Sequence, residues 1–114
     1  MYKPLWLPHF GRQLKQLSKK YVHLQEVITK ALHRFRKDQT VSLGDNLYKL
    51  RLASKKDIPR GKNKSFRLVL LVLETKSALV PVTIYFKGDR RDMSVRELND
   101  HLEVILTELR SYEN

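Results

Sequence analysis

Eight consecutive residues, Phe66 to Leu73, read FRLVLLVL, and all but Arg67 are apolar. The run is far shorter than the ~18 residues a membrane span needs, so it has to be buried within the protein. It lacks the alternation of a half-exposed strand, and such a run reads as a strand covered on both faces. The rest of the chain must therefore provide a sheet around it and layers to cover that sheet. Arg67 is the one exception inside the run.

The covering layers are legible on both sides. From Phe10, apolar residues at Leu14, Leu17, Tyr21, Leu24, Val27, Ile28, Ala31, Leu32 and Phe35 recur every three or four positions, the stripe of an amphipathic helix. Ser18-Lys19-Lys20 interrupts the stripe, which gives two helices over roughly 8–18 and 21–37, although one long bent helix reads almost the same. Arg12, Lys15, Lys19, Lys20, Lys30, Arg34 and Lys37 fall on the opposite face, read as solvated. At the other end, Ser94-Val95-Arg96-Glu97 matches a capping box, and Met93 and Leu98 are spaced as a hydrophobic staple. The helix it starts has an apolar stripe of Leu98, Leu102, Ile105, Leu106 and Leu109.

Between these helices the pattern turns to strands. Gly44-Asp45-Asn46 is turn chemistry, after which Tyr48, Leu50 and Leu52 alternate with Lys49, Arg51 and Ala53, a half-buried strand with Lys49 and Arg51 on one cationic face. Ser54 to Ser65 contains Pro59 and Gly61 and reads as an exposed loop. Leu79 to Phe86 makes the next strand, where Pro81 requires an edge position or a gap in the ladder. The expected fold is α+β: a helical hairpin on a small twisted antiparallel sheet, with a C-terminal helix. Its sheet is a meander of strands 47–53, 66–74 and 79–87, to which residues 2–7 add a short strand with Pro4 at an edge or at its start. At 114 residues, one domain spanning 1–114 is expected.

Charge divides the chain more sharply than hydropathy. Residues 1–40 and 41–92 each carry +7, whereas residues 93–114 carry −3. Between Lys49 and Arg67 eight cations face a single acid, Asp57, so this segment is matched to an anionic, phosphate-bearing partner. The absence of cysteine removes disulfides, thiolate metal sites and a cysteine nucleophile, and it is compatible with a reducing cytoplasm. MYKPLWLPHFGRQLK has no apolar run of signal-peptide length, and no segment suits a membrane. His9, His23, His33 and His101 lack metal-ligand spacing, and the four glycines are too scattered for a P-loop or dinucleotide fingerprint. No serine sits in a nucleophile elbow. No cofactor is expected.

Chemistry done by cations remains. RNA transesterification suits it, because the ribose 2′-hydroxyl is the nucleophile and the protein needs only a base, positive charge for the phosphorane and an acid for the leaving 5′-oxygen. A lysine becomes a base when neighbouring cations lower its pKa. Lys62 and Lys64, flanked by Arg60 and Arg67, have such neighbours in sequence. Arg67, on a rigid strand, suits a planar phosphate donor. From the residues alone, a plain basic binding surface accounts for the loop as well.

Taken in order, FGRQLKQLSKKY, NLYKLRLA, RGKNKSFRLVLLV and IYFKGDRRDMSVREL resemble the RelE/ParE superfamily of toxins from type II toxin–antitoxin systems, nearer its RelE and HigB-like branch. The resemblance spans nearly the whole chain. It implies a metal-independent endoribonuclease that cleaves mRNA in the ribosomal A site, in the cytoplasm, held in check by a cognate antitoxin in a toxin–antitoxin hetero-oligomer. Carried onto this sequence, the catalytic set is Lys62, Lys64, Arg67, Lys87 and Arg90, with Arg91 beside it, while Lys49, Arg51, Lys55, Lys56 and Arg60 of the cationic segment are expected, with Arg91, to bind RNA. Some members use a tyrosine or histidine near the last helix, for which Tyr85 and Tyr112 are the candidates here, each also explicable as a packing aromatic. Ser65-Phe66 stands where the family often has a small pair, and the loop SKKDIPRGKNK is long. Two alternatives share the composition: a ParE-like, non-catalytic inhibitor of DNA gyrase, and a plain RNA-binding module.

Overall fold

The computed structural model describes residues 2–52, 65–88 and 92–113. Their order is β1 (Lys3–Pro4), α1 (Pro8–Ser18), α2 (Leu24–His33), β2 (Val41–Gly44), β3 (Leu47–Leu52), β4 (Ser65–Leu73), β5 (Ala78–Lys87) and α3 (Val95–Glu113), with short 3₁₀ turns at Lys37–Gln39 and Glu74–Lys76. The five strands form one sheet ordered β1-β5-β4-β3-β2, in which β1 runs parallel to β5 and the other pairs are antiparallel. The expected α+β architecture is present, with β2 added at one rim and the expected N-terminal strand lying parallel to β5 at the other. The expected loop over 54–65 falls outside the described residues except for Ser65, which opens β4.

β4 lies at the centre of the sheet, with β3 on one side and β5 on the other. Its residues Ser65 to Val72 are all buried, as the unbroken apolar run requires. Both prolines sit where a missing donor costs little. Lys3 and Leu5 donate to Ser77 and Leu79 across the β1–β5 pair, so the nitrogen of Pro4 between them faces away from the ladder. Pro81 stands at a register shift, where Leu70 pairs with Pro81 and Val69 with Thr83, leaving Val82 as an extra residue. β1 is too short to cover the far half of β5, and α1 protects that edge instead. Gln13 accepts the Ile84 backbone N–H at 3.2 Å and donates to the Thr83 hydroxyl at 2.9 Å, acting as a surrogate strand.

The helical hairpin packs on one face of the sheet. Phe10 and Leu14 on α1 and Leu24, Ile28 and Leu32 on α2 are buried. α2 is shorter than its apolar pattern, because Tyr21 and Phe35 keep the spacing as buried anchors just outside the helix. Tyr21 meets Phe66 edge-on at 4.8 Å and stacks with Phe86 at 5.9 Å, fixing the hairpin over the ends of β4 and β5. β2 escaped the sequence reading because it is only four residues long and exposed throughout, so burial imposes no alternation on it. It is joined to β3 by Gly44, Asp45 and Asn46, all three with positive φ, a conformation glycine, aspartate and asparagine tolerate best.

α3 starts as the capping box requires: the Ser94 hydroxyl accepts the Glu97 N–H at 3.1 Å and donates to the Glu97 carboxylate at 3.3 Å. Ile105 and Leu109 are buried and Leu98 and Leu102 half-buried, while Leu106 lies off the stripe and is 39% exposed. The helix contacts both β5 and α1. Its Glu108 carboxylate accepts the His9 N–H at 3.0 Å, capping the start of α1, which has no side-chain cap of its own. Among the described residues no helix is long and apolar enough to cross a membrane.

Candidate functional site

Side chains alternate across a sheet, so the register of β3, β4 and β5 determines which residues share a face. Arg51 is opposite Arg67, which is opposite Tyr85; Ser65 is opposite Lys87, and Lys49 is opposite Val69. All of these point away from the face that carries Phe66, Leu68 and Phe86. The strand order therefore gathers Lys49, Arg51, Arg67 and Lys87 on one side of one sheet, although they are spread over nearly forty residues of sequence.

At the centre of this patch two guanidinium groups converge on one hydroxyl. Arg51 Nε donates to Ser65 Oγ at 3.2 Å, and Arg67 Nη1 donates to the same oxygen. Arg67 is only 8% exposed, yet among the described residues it has no carboxylate within ion-pair distance. The two guanidinium groups thus share one neutral oxygen and set two positive charges side by side at the centre of the patch. A phosphate would satisfy both, since guanidinium presents a planar fork of donors matched to its oxygens.

The only acid bonded into the patch among the described residues is Asp92, which precedes α3. It accepts from Lys49 Nζ at 2.9 Å, from the Tyr85 hydroxyl, and from the Met93 N–H at 3.1 Å. The Tyr85 and Lys49 hydrogen bonds hold its carboxyl down to about 2, against the opposing effect of burial. Burial and the bond to Asp92 push the Tyr85 hydroxyl up to about 12, so at neutral pH it is a donor. Below this cluster, Leu47, Val69, Leu43, Met93, Val95 and Leu98 line a cavity of about 420 Å³ that Lys49 and Tyr85 also border.

Of the residues read from the sequence, the structure brings Arg67, Lys87, Lys49 and Arg51 together. Lys55, Lys56, Arg60, Lys62, Lys64, Arg90 and Arg91 lie outside the described residues. In sequence the first five precede Ser65, where β4 begins, and the last two follow β5 and Gly88. Tyr85 belongs to the patch, whereas Tyr112 is 65% exposed near the far end of α3. Ser65 and Asp92 were missed. Nothing local marks Ser65, and Asp92 carried the signal of a turn residue; only the register shows what each touches. The histidines hold a second surprise, for His9 Nε2 and His101 Nδ1 meet at 2.8 Å between α1 and α3, one ring donating and the other accepting. Burial and the neighbouring His9 push the His101 ring below its usual value. Among the described residues no three His, Cys, Asp or Glu side chains gather as a metal site would require.

An α+β chain with a helical hairpin on one face of its sheet and a cationic patch on the other has the fold of the RelE-like toxins. A chain of the crystal structure of the intact E. coli RelBE toxin–antitoxin complex superposes with a TM-score of 0.53 at 20% identity, covering 79% of this chain and 100% of that one. A double mutant of E. coli toxin RelE in the free state gives 0.52 at 16% identity, covering 94% of this chain and 92% of that one. No protein-family model matches the sequence, and no curated protein matches it significantly.

Proposed function

We propose that this protein is the toxin of a toxin–antitoxin pair, a single RelE-like domain that cleaves mRNA on the ribosome without a metal ion. The observation that carries the reading is the convergence of Arg51 and Arg67 on Ser65 Oγ, within a fold shared with RelE. In this reading the scissile phosphate takes the place of the Ser65 hydroxyl as acceptor. Arg67, backed by Arg51, stabilises the dianionic phosphorane formed when the 2′-oxygen attacks. Lys62 or Lys64 takes the 2′-proton. Lys87, opposite Ser65, holds the phosphate or protonates the leaving 5′-oxygen together with Arg90, while Lys55, Lys56, Arg60 and Arg91 extend the contact along the RNA backbone. Lys49 is tied to Asp92 and serves as a positioned charge beside the arginines.

A cytoplasmic antitoxin partner follows from the same reading. The patch carries more positive charge than Asp92 can neutralise, and an acidic segment laid across Arg51 and Arg67 would block the phosphate site. Primer extension on a reporter mRNA in a reconstituted translation reaction tests the reading, with wild type compared against Arg67→Ala. Cuts at fixed positions within codons, lost in the variant, are the expected result. Intact mRNA with wild-type protein, at concentrations that arrest growth, would sink it and turn attention to DNA gyrase.

A further inference from the structure

We propose that the cavity between the β2–β3 hairpin and the start of α3 receives a nucleobase of the RNA whose phosphate lies on Arg51 and Arg67, and that it favours guanine. The inference rests on the nuclease reading and assigns the part of the substrate that the cations leave unrecognised.

Position is the first argument. The cavity adjoins the phosphate patch, because Lys49 and Tyr85 border both. The Lys49–Val69 pair at its edge is two residues along the ladder from Arg51–Arg67, a step of roughly 7 Å in an extended strand. A single nucleotide spans a comparable distance between its phosphate and its base.

Chemistry is the second argument. The floor is apolar, formed by the buried Leu47 and Val69 of the sheet, and Leu43 on β2 and Val95 on α3 line it as well, at 40% and 75% exposure. Aliphatic walls of this kind accept the flat face of a base. Asp45 and Asn99 also line the cavity, and among the described residues neither side chain has a hydrogen-bond partner. Asp45 only accepts, whereas Asn99 both donates and accepts. Guanine presents two adjacent N–H donors and a carbonyl on its pairing edge, which suits that combination, while uracil presents a single N–H between two carbonyls. The Asp45 carboxylate also sets the orientation, since it repels phosphate and leaves the anionic end of the nucleotide to the arginines.

The test uses the full chain, ¹⁵N-labelled, titrated with guanosine 3′-monophosphate, uridine 3′-monophosphate and inorganic phosphate. Guanosine monophosphate is expected to shift the amides of Leu43, Val95 and Asn99 along with those of Arg51 and Arg67, and phosphate to shift only the latter. Asn99→Leu and Asp45→Asn are exposed changes expected to lower the affinity for guanosine monophosphate relative to phosphate by about tenfold. Identical shift patterns for guanosine monophosphate and phosphate, or equal binding of the guanosine and uridine nucleotides, overturn the proposal. Mapping cleavage sites on ribosome-bound mRNA separates the two readings. Wild-type cuts at positions unmoved by Asp45→Asn reject the cavity's role and leave the nuclease standing. Absence of cleavage with guanosine-selective shifts at Leu43 and Asn99 rejects the nuclease and leaves a nucleotide-binding cavity.

Discussion

The two faces of β4 come from one eight-residue run and do opposite things. Phe66, Leu68, Leu70 and Val72 point toward the helical hairpin and are at most 1% exposed; Ser65, Arg67, Val69 and Leu71 point the other way and are nearly as inaccessible. On the first face burial is matched by apolar contact, and the aromatic cluster of Tyr21, Phe66 and Phe86 closes it. On the second, Ser65 and Arg67 are buried polar groups, with two guanidinium groups on one oxygen. Equal burial thus marks stability on one face and, on the proposed reading, a phosphate site on the other. What separates them is whether the buried groups are apolar or charged.

The comparison breaks most visibly at neighbouring residues. Phe66→Ala should cost about 3–5 kcal/mol, because the surrounding rings cannot collapse into the space; urea unfolding monitored by circular dichroism measures it. Arg67→Ala should leave the unfolding midpoint close to wild type, since removing one of two like charges offsets the packing lost, while on the nuclease reading mRNA cleavage falls by about 10²–10³-fold. If both variants lost stability equally, the distinction between the faces would be wrong. Gln13→Leu tests the edge between them: it strands the Ile84 N–H and the Thr83 hydroxyl and should cost about 1–3 kcal/mol without altering Arg67. Hydrogen exchange at Ile84 should accelerate in that variant.

A smaller effect sharpens the picture of the second face. Asp92 ionises near 2 when folded, below its ordinary 3.8, so its contribution to stability is present above about pH 4 and lost as pH falls toward 2. Tyr85 is raised to about 12, so its contribution is complete below about pH 10 and lost as pH rises from there through 12. The stability the pair contributes should therefore be complete between about pH 4 and 10. Ultraviolet absorbance should show a late tyrosine ionisation in wild type that moves earlier in Asp92→Asn; unchanged titration would place Tyr85 outside the pair.

Arg67 was legible as the lone charge in an apolar run, and Lys49 and Arg51 as one face of an alternating strand, because period and composition are local properties. The helical hairpin, the meander and the capped start of α3 followed from the same kind of signal. β2 and the parallel placement of β1 were not legible: short exposed strands need no pattern, and which edge a strand joins depends on residues seventy positions away. The same holds for Ser65 beneath two arginines, for Asp92 tying Lys49 to Tyr85, and for the meeting of His9 with His101.

By itself, the amino-acid order determined most of the elements, the strand that must be buried on both faces, and the excess of cations. Tertiary structure decided which cations share a face, which are neutralised, and where an apolar cavity adjoins them. The physical reason is range. Hydrophobic period and capping act over a few residues and are written in each segment, whereas hydrogen bonding and charge pairing act between atoms a few ångströms apart, and strand register alone brings distant residues to that separation.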